Sequence, residues 1–249
     1  MYRKRILLFA GLVISAIALV QTNPVPSRSQ TDSKSAQIQE KDIPIVDYPM
    51  VQPADDADVS RRSKGKRHDK EMVVRDLDTG GRSVLTFSHW DAALSALPVG
   101  RSATVVAGQV LKAKAFLSSD KTGVYSEFAV SVEQVFKNDS VTPVFQGGLV
   151  TAERNGGRVR FPSGRLITYG NRGQGMPKVG QRYVFFLERN ADQYTILTAY
   201  ELQAGKVRPL DGKNAPGGEN NEWPGNGYQG TDESTFMIEV ARAVAGVRK

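Results

Sequence analysis

Apolar and polar side chains alternate along several short segments between residues 103 and 210. In the first segment Leu111, Ala113 and Ala115 alternate with Lys112 and Lys114, and a period of two is typical of a strand with one buried face. The pattern predicts strands over residues 103–117, 124–136, 145–154, 158–161, 166–169, 182–188, 194–202 and 206–210. Their lengths and spacing predict a mainly β fold, built as a closed or nearly closed antiparallel barrel.

Three departures from simple alternation carry further predictions. The phase slips at residues 134–136, which predicts a β-bulge. Residues 183–187 read Tyr-Val-Phe-Phe-Leu, a continuous apolar run that is typical of a fully buried strand. Between two strands, Asn155-Gly156-Gly157 predicts a hairpin turn, because asparagine and glycine tolerate positive φ.

Helical signals flank the strands. Ser88 is predicted to cap a short helix that precedes the barrel. Asp91 lies at the capping-box position, and this explains it better than an acid–base pair with His89. A C-terminal helix is predicted after Thr231, to close the end or the side of the barrel. Its apolar stripe comprises Phe236, Val240, Val244 and Val247.

The N-terminus carries an export signal. Arg3, Lys4 and Arg5 precede an apolar run at residues 6–20, and this order is typical of a secretory signal. No small-x-small triplet follows the run, so residues 1–20 are predicted to be either a cleaved signal peptide or a membrane anchor. In both cases the rest of the chain is exported, to the periplasm, the cell surface or the medium.

Residues 21–81 have the composition of a disordered linker. Between residues 21 and 86 the chain has no Phe or Trp, and Tyr48 is its one Tyr, which is too little apolar surface to offset the entropy of ordering. Residues 43–48 are the part that could dock as a short extended piece. A basic run at residues 61–70 is interpreted as solvated, with contact to anionic lipid or glycan as the alternative. The folded domain is predicted over residues 82–249, with a long loop at residues 211–230.

Charge and composition narrow the chemistry. The net charge is +7, and it falls to 7 − 3 = +4 if residues 1–20 are removed, since they hold three basic residues and no acid. The absence of cysteine rules out disulfides and thiol chemistry, and two histidines nearly exclude a multi-histidine metal centre. The chain has no Gly-x-Ser-x-Gly, His-Glu-x-x-His or phosphate-binding glycine motif. We therefore expect no metal, no cofactor and no catalytic residue.

The order of the strand segments resembles that of uncharacterised exported bacterial proteins. The segments that carry the resemblance are ATVVAGQVLKAKAF, VYSEFAVSVEQVFK, MPKVGQRYVFFLE and YTILTAYELQAGKVRPLD, within residues 100–212. The barrel of those proteins is similar to the OB-like fold of netrin and metalloproteinase-inhibitor modules. The resemblance implies an OB-like antiparallel β-barrel and an exported location. The inhibitor modules use cysteines that this chain lacks.

Basic residues cluster around the predicted hairpin. If Asn155-Gly156-Gly157 is a three-residue loop, Arg154 pairs with Arg158, and both share a face with Arg160. Like charges across a hairpin are destabilising, so this face is either solvated or binds an anion. A buried Glu153 on the opposite face would need a partner, which an arginine could supply. The candidate ligand-binding arginines are Arg154, Arg158, Arg160, Arg165 and Arg172.

Aromatic residues near the hairpin and in the long loop complete the candidate surface. OB barrels bind single strands or oligosaccharides on a sheet face through basic grooves and stacking aromatics. The candidate stacking residues are Phe161, Tyr169, Trp223 and Tyr228. The alternative is that these aromatic side chains pack in the core, with Trp223 pinning the long loop to the barrel.

These features predict a non-enzymatic interaction module of the cell envelope. Export makes an envelope protein or an anionic glycan a better partner than nucleic acid, and residues 6–20 reach the membrane if they are not cleaved. Two alternatives stay open: an inhibitor or modulator of an extracellular enzyme, and a hydrolase without a recognisable motif.

Overall fold

The fold is built from two β-sheets and one long helix. The computed structural model describes residues 42–49, 64–69, 83–89, 91, 93–212 and 223–247. Within them lie ten strands: β1 Ile45–Asp47, β2 Ser83–His89, β3 Thr104–Leu117, β4 Val124–Lys137, β5 Leu149–Asn155, β6 Gly157–Arg160, β7 Leu166–Arg172, β8 Arg182–Asn190, β9 Gln193–Gln203 and β10 Lys206–Pro209. A 3-10 helix, Pro224–Tyr228, precedes helix α1, Glu233–Val247.

Five of the strands close into a barrel, which confirms the predicted fold class. The order around the barrel is β3-β4-β5-β9-β8, and β8 pairs with both β3 and β9. All of these pairings are antiparallel except that of β5 with β9, which is parallel at Ala152↔Tyr194 and Glu153↔Thr195. This is the five-stranded Greek-key barrel of the OB type. Strand β10 extends the sheet beyond β9.

Strand β8, the first half of β3 and most of β9 are buried on both faces. On β8, Tyr183, Phe185 and Leu187 belong to the interior cluster of the barrel, whereas Val184 and Phe186 belong to a second cluster with α1. A strand that is covered on both faces has no polar alternation, so the apolar run at residues 183–187 was interpreted correctly. Helix α1 lies against the side of the barrel through Phe236, Val240 and Val244, while Val247 is exposed.

The predicted bulge is present in β4. Val105 pairs with Lys137 and Val106 pairs with Val135, so Phe136 is an extra residue between two consecutive pairs. A bulge increases the local twist of a strand, which helps a long strand to curve around a barrel. The β3–β4 pair has further register shifts, one of them beside Gly108. A Cβ atom at Gly108 would lie 2.3 Å from the Ser131 carbonyl oxygen.

The predicted hairpin between β5 and β6 is wrong. Strand β5 is already paired on both edges, with β4 and with β9, so it has no free edge for β6. At Gly156, with φ +106°, the chain leaves the barrel, and β6 pairs with β7 instead. A Cβ atom at Gly156 would lie 2.9 Å from the Tyr169 carbonyl oxygen. The Asn-Gly signal therefore marks a crossing from one sheet to another.

The second sheet is small and has the order β1-β6-β7-β2. Its centre is the β6–β7 antiparallel pair, and the strands at both edges are parallel additions from the N-terminal part of the chain. Val159, Ile167 and Tyr169 form its buried face, with Phe161 beside them.

The described residues between 88 and 98 do not form the predicted short helix. Ser88 and His89 belong to β2, and the described residues from Ala93 to Gly100 form turns and bends. The Asp91 carboxylate accepts a hydrogen bond from the Ala93 N–H at 3.1 Å and faces Arg101 at 3.1 Å. The polar residue that signals a helix start also forms Asx-type turns, and the bond from the Ala93 N–H is of that type.

Parts of the predicted linker lie on the folded domain. Residues 42–49 contain β1, so the suggestion that residues 43–48 dock as an extended piece is confirmed. Residues 64–69 begin with one helical turn and also contact the barrel. The disordered-linker prediction is therefore wrong for these two stretches. The rest of the predicted linker, and the predicted signal peptide or anchor at residues 1–20, lie outside the described residues. No helix in the described part of the chain is long and apolar enough to cross a membrane.

The ends of the predicted long loop are ordered. Asp211 is fully buried, and Trp223 is 2% exposed. The Trp223 indole stacks on Tyr200 at a centroid distance of 5.8 Å, and its N–H donates to the Leu94 carbonyl oxygen at 2.8 Å. The interpretation of Trp223 as a residue that pins the loop to the barrel is confirmed. Residues 213–222 lie outside the described part.

Candidate functional site

The small sheet turns part of the predicted basic cluster outward. Side chains alternate along β6, so Val159 packs inward while Arg158 and Arg160 point to the other face. Arg160 is 53% exposed, and one of its guanidinium nitrogens lies 3.3 Å from the Asp47 carboxylate on β1. Arg165, half-buried, lies in the turn that joins β6 to β7. We call Arg158, Arg160 and Arg165 the basic face.

Two of the predicted arginines lie elsewhere. Arg172 is exposed at the far end of β7, in register with His89. Arg154 is only 2% exposed and points into the barrel. Its guanidinium donates to the Asp211 carboxylate at 2.6 Å and to the Gly175 carbonyl oxygen at 2.8 Å. The prediction that Arg154 belongs to a surface cluster is wrong, because β5 is a barrel strand and its face is set by the barrel.

The Arg154–Asp211 pair and its hydrogen bonds join four segments of the chain. Besides Arg154, the Asp211 carboxylate accepts hydrogen bonds from the Gly175 N–H and the Thr198 hydroxyl, both at 2.8 Å. The ion partner and the two further donors offset much of the cost of burying this carboxylate, although burial still raises the pKa of Asp211. This arrangement is structural, since both charged side chains are almost inaccessible to solvent.

The predicted stacking residues are not available as a platform. Phe161, Tyr169 and Trp223 are each less than 5% exposed. Phe161 stacks on Tyr48 of the N-terminal segment at 5.2 Å. The half-buried Tyr228 packs edge-on against Phe236 at 5.0 Å, and burial, together with a hydrogen bond to Glu239, raises its pKa to about 12. The alternative, that these aromatics belong to the core, is correct for the first three.

A second charged site was missed in the sequence. Residues 64–69, Lys-Gly-Lys-Arg-His-Asp, lie against the outer wall of the barrel at β4 and β5. We call this segment the clasp. The wall residues that it contacts form the acidic site: Tyr125, Glu127, Glu153, Asn155 and Asp192. The sequence signal for the acidic site is the basic run at residues 61–70, for which the expectation is a solvated segment.

His68 is the most enclosed side chain of the clasp. Its ring stacks on Tyr125 with a centroid distance of 4.0 Å and an interplanar angle of 9°. Nε2 lies 3.1 Å from a Glu153 carboxylate oxygen, and Nδ1 lies 2.9 Å from the Asn155 side-chain oxygen. The Glu153 carboxylate and the Asn155 side chain therefore each lie within hydrogen-bond distance of a different ring nitrogen.

The carboxylates of the acidic site are paired across the sheet. Glu127 on β4 and Glu153 on β5 are directly opposite each other, an arrangement that is destabilising for like charges. Lys64 lies 3.7 Å from Glu127, and Arg67 lies 3.2 Å from Glu153. The prediction that a buried Glu153 needs a basic partner is confirmed, but the partner comes from the clasp and not from the neighbouring strand.

Arg67 extends the contact beyond the two glutamates. Its second guanidinium nitrogen lies 3.1 Å from Asp192, which is 74% exposed in the turn between β8 and β9. At the other end of the clasp the Asp69 carboxylate accepts a hydrogen bond from the Asp120 N–H at 3.2 Å. The clasp is thus held at both ends and in its middle.

Asp139 anchors the connection between β4 and β5. Burial alone would raise its pKa, but the Val141 N–H, the Tyr194 hydroxyl and Arg189 hold the pKa of this carboxyl below its ordinary value of 3.8. The pKa of Asp120 is lowered to about 2, because hydrogen bonds from Thr122 and Ser118 outweigh its desolvation.

These depressed pKa values predict a loss of stability in acid. An ionised group whose folded pKa is lowered contributes stability above its unfolded pKa, and the contribution is lost as the pH falls. We expect the free energy of unfolding to decline below about pH 4. Asp139→Asn should be less stable at pH 7 and should decline less steeply, as measured by urea unfolding at pH 7 and pH 3. Parallel declines of the variant and the wild type would contradict this role.

Little else in the described residues has the form of a reactive site. No group of three or more histidines and carboxylates there is placed to hold a metal ion. An open, shallow depression lies between the segment before β3 and α1, and its lining comprises Leu97, Tyr228, Glu239, Arg242 and Ala243. The basic face and the acidic site are therefore the two features that carry functional arguments.

Comparison with known proteins adds no identification. No protein-family model matches the chain, and no curated protein sequence matches it. The similarity to netrin and metalloproteinase-inhibitor modules thus remains a prediction.

Proposed function

We propose that this chain is an exported, non-enzymatic interaction module of the cell envelope, and that its basic face binds an anionic glycan. Export is supported by the order of basic and apolar residues in the first 20 positions. The glycan is favoured over other anions because the face already accommodates a carboxylate, that of Asp47 beside Arg160.

The observation that carries this proposal is that Arg158, half-buried, and Arg160, exposed, lie on the same face of β6. Residues two apart on a strand lie roughly 6.6 Å from each other, a spacing that suits successive charges on an extended polymer. Planar guanidinium groups form bidentate hydrogen bonds with carboxylates. Arg165 adds a third basic side chain from the adjoining turn, and the opposite face of the sheet is closed by Val159 and Ile167.

The test is a salt titration of glycan binding by the full chain. A carboxylated polysaccharide is titrated against the wild type and against Arg158→Gln/Arg160→Gln/Arg165→Gln. We expect at least a roughly tenfold loss of affinity in the variant, and in the wild type a steep loss as added salt screens the charges. The control is Lys112→Gln/Arg208→Gln/Arg242→Gln, which removes the same charge from exposed positions on β3, β10 and α1.

Equal losses in the two triple variants would overturn the proposal, because binding would then depend on net charge alone. Wild-type binding that salt does not affect would also overturn it. A result of that kind would favour a protein partner, the other class that the sequence predicts for an envelope module.

A further inference from the structure

The acidic site lies on the outer wall of the barrel and is closed by the clasp. On β5 the outward positions are Leu149, Thr151 and Glu153; the first two are exposed, whereas Glu153 is 2% exposed. The difference arises because Arg67 and His68 lie over Glu153. Removal of the clasp would return this carboxylate to solvent without opening the barrel core.

Two facing carboxylates form a receptor for cations. Glu127 and Glu153 are direct neighbours across β4 and β5, and a basic ligand relieves their mutual repulsion. Among the described residues, the hydrogen bonds and ion pairs of the Glu153 side chain all involve the clasp. A carboxylate covered from solvent needs such partners, so the site is incomplete without a basic segment on it.

The site also selects the kind of basic segment. The Tyr125 ring provides a flat surface that an imidazole covers at 4.0 Å, and Glu153 and Asn155 each take one of its nitrogens. A lysine has neither the ring nor the second nitrogen. The position just before the histidine is an arginine, whose fork reaches Glu153 and Asp192 together.

The clasp has the properties of a bound ligand and not of a core element. Its six residues are all polar or glycine, and Lys66 and Arg67 remain exposed. It is held by charge pairs and one ring contact, and exposed ion pairs contribute little individually. Segments with few buried apolar contacts open at low free energy, so the clasp can leave the wall while the barrel stays folded.

We propose that the acidic site is a receptor for a basic segment of a partner protein that carries an Arg-His pair, and that residues 64–69 occupy it as a competing ligand of the same chain. The partner segment binds when it displaces the clasp. This function is independent of glycan binding by the basic face, because the two sites share no residue.

The experiment compares an occupied and a vacated site in the full chain. A fluorescent peptide with the sequence of residues 60–71 is titrated against the wild type and against Arg67→Ala/His68→Ala, with fluorescence anisotropy as the readout. We expect the peptide to bind the double variant at least roughly tenfold more tightly, since in the wild type the tethered clasp competes at a high effective concentration. A milder variant, Arg67→Gln, should lie between the two.

The controls separate recognition from misfolding and from nonspecific charge. Circular dichroism must give the same spectrum for the double variant and the wild type. A peptide with Ala at the positions of Arg67 and His68 should bind at least roughly tenfold more weakly, although it keeps its other basic residues. Adding Asp192→Asn, a change at an exposed position, to the double variant should weaken binding severalfold.

Two results would overturn the proposal. One is equal peptide affinity for the wild type and the double variant, which would place the binding elsewhere on the protein. The other is failure of the peptide to bind a double variant that is folded. Neither result would bear on glycan binding, which is measured with the arginine variants of the small sheet.

Discussion

Replacement of Asp211 by Ala is expected to lower the free energy of unfolding by about 3–5 kcal/mol. In the native protein the Arg154 guanidinium lies 2.6 Å from the Asp211 carboxylate. The substitution leaves this guanidinium buried without its ion partner. The Thr198 hydroxyl and the Gly175 N–H also lose their acceptor. Urea or guanidinium unfolding, followed by circular dichroism, measures the loss.

A matched control is available at the surface. Lys206 and Asp232 form an ion pair of nearly the same length, 2.7 Å, but both side chains are more than half exposed. Asp232→Ala is expected to cost less than about 1 kcal/mol, because exposed ion pairs are solvated and screened. Similar losses for Asp211→Ala and Asp232→Ala would contradict the structural role of the buried pair.

Removal of both buried charges provides a second check. Arg154→Met/Asp211→Leu replaces the pair by apolar side chains, and such replacements recover much of the stability that a single substitution loses. We expect a double-mutant cycle to give a coupling energy of about 2–3 kcal/mol. Additive losses would mean that each residue acts through separate contacts.

Trp223→Ala is expected to cost about 3–5 kcal/mol. Trp223 is buried between Tyr200 and the segment before β3, and the substitution removes both the ring stack and the hydrogen bond to Leu94. It also leaves a cavity beside Phe236 and Val240, which belong to the same apolar cluster. Denaturant unfolding measured by circular dichroism avoids reliance on tryptophan fluorescence.

An exposed aromatic residue serves as the comparison for Trp223. Phe145 is 69% exposed in the connection between β4 and β5, and Phe145→Ala should change stability by less than about 0.5 kcal/mol. Trp223→Phe keeps a ring in the cluster and should therefore lose less than Trp223→Ala. If Trp223→Ala were no more costly than Phe145→Ala, the end of the long loop would not belong to the core.

The strands could be predicted because their signals are local. Alternation in β3 and the apolar run of β8 show which faces of each strand are buried. A few neighbouring residues are enough to reveal this pattern. The bulge in β4 was visible for the same reason, since an extra residue shifts the phase of the pattern. Helix α1 was predicted from the spacing of Phe236, Val240 and Val244.

The hairpin failed because strand pairing is not local. An Asn-Gly signal predicts that the chain turns, but it does not determine whether the next strand returns to the same partner. In this protein β9 arrives some forty residues later and takes the edge of β5 that the prediction had assigned to β6. The assignment of Arg154 to the surface depended on that pairing and failed with it.

The clasp was missed because its contacts are electrostatic. A segment without aromatic or large aliphatic residues cannot form a core, and composition therefore predicts disorder. Composition gives no information about a charged surface that other parts of the chain form. His68 meets Glu153, a residue 85 positions away, and that match exists only once β4 and β5 have brought Glu127 and Glu153 together.

The sequence by itself determined the barrel strands and the C-terminal helix, because hydrophobic burial leaves a periodic trace in neighbouring residues. Only the tertiary structure decided which charged residues are buried and with whom. Arg154 forms an ion pair with Asp211, which is 57 positions away in the sequence. Glu153 binds residues of a segment that composition predicts to be a linker. Ion pairs depend on distance in space and on solvent exposure, and neither quantity exists before the chain has folded.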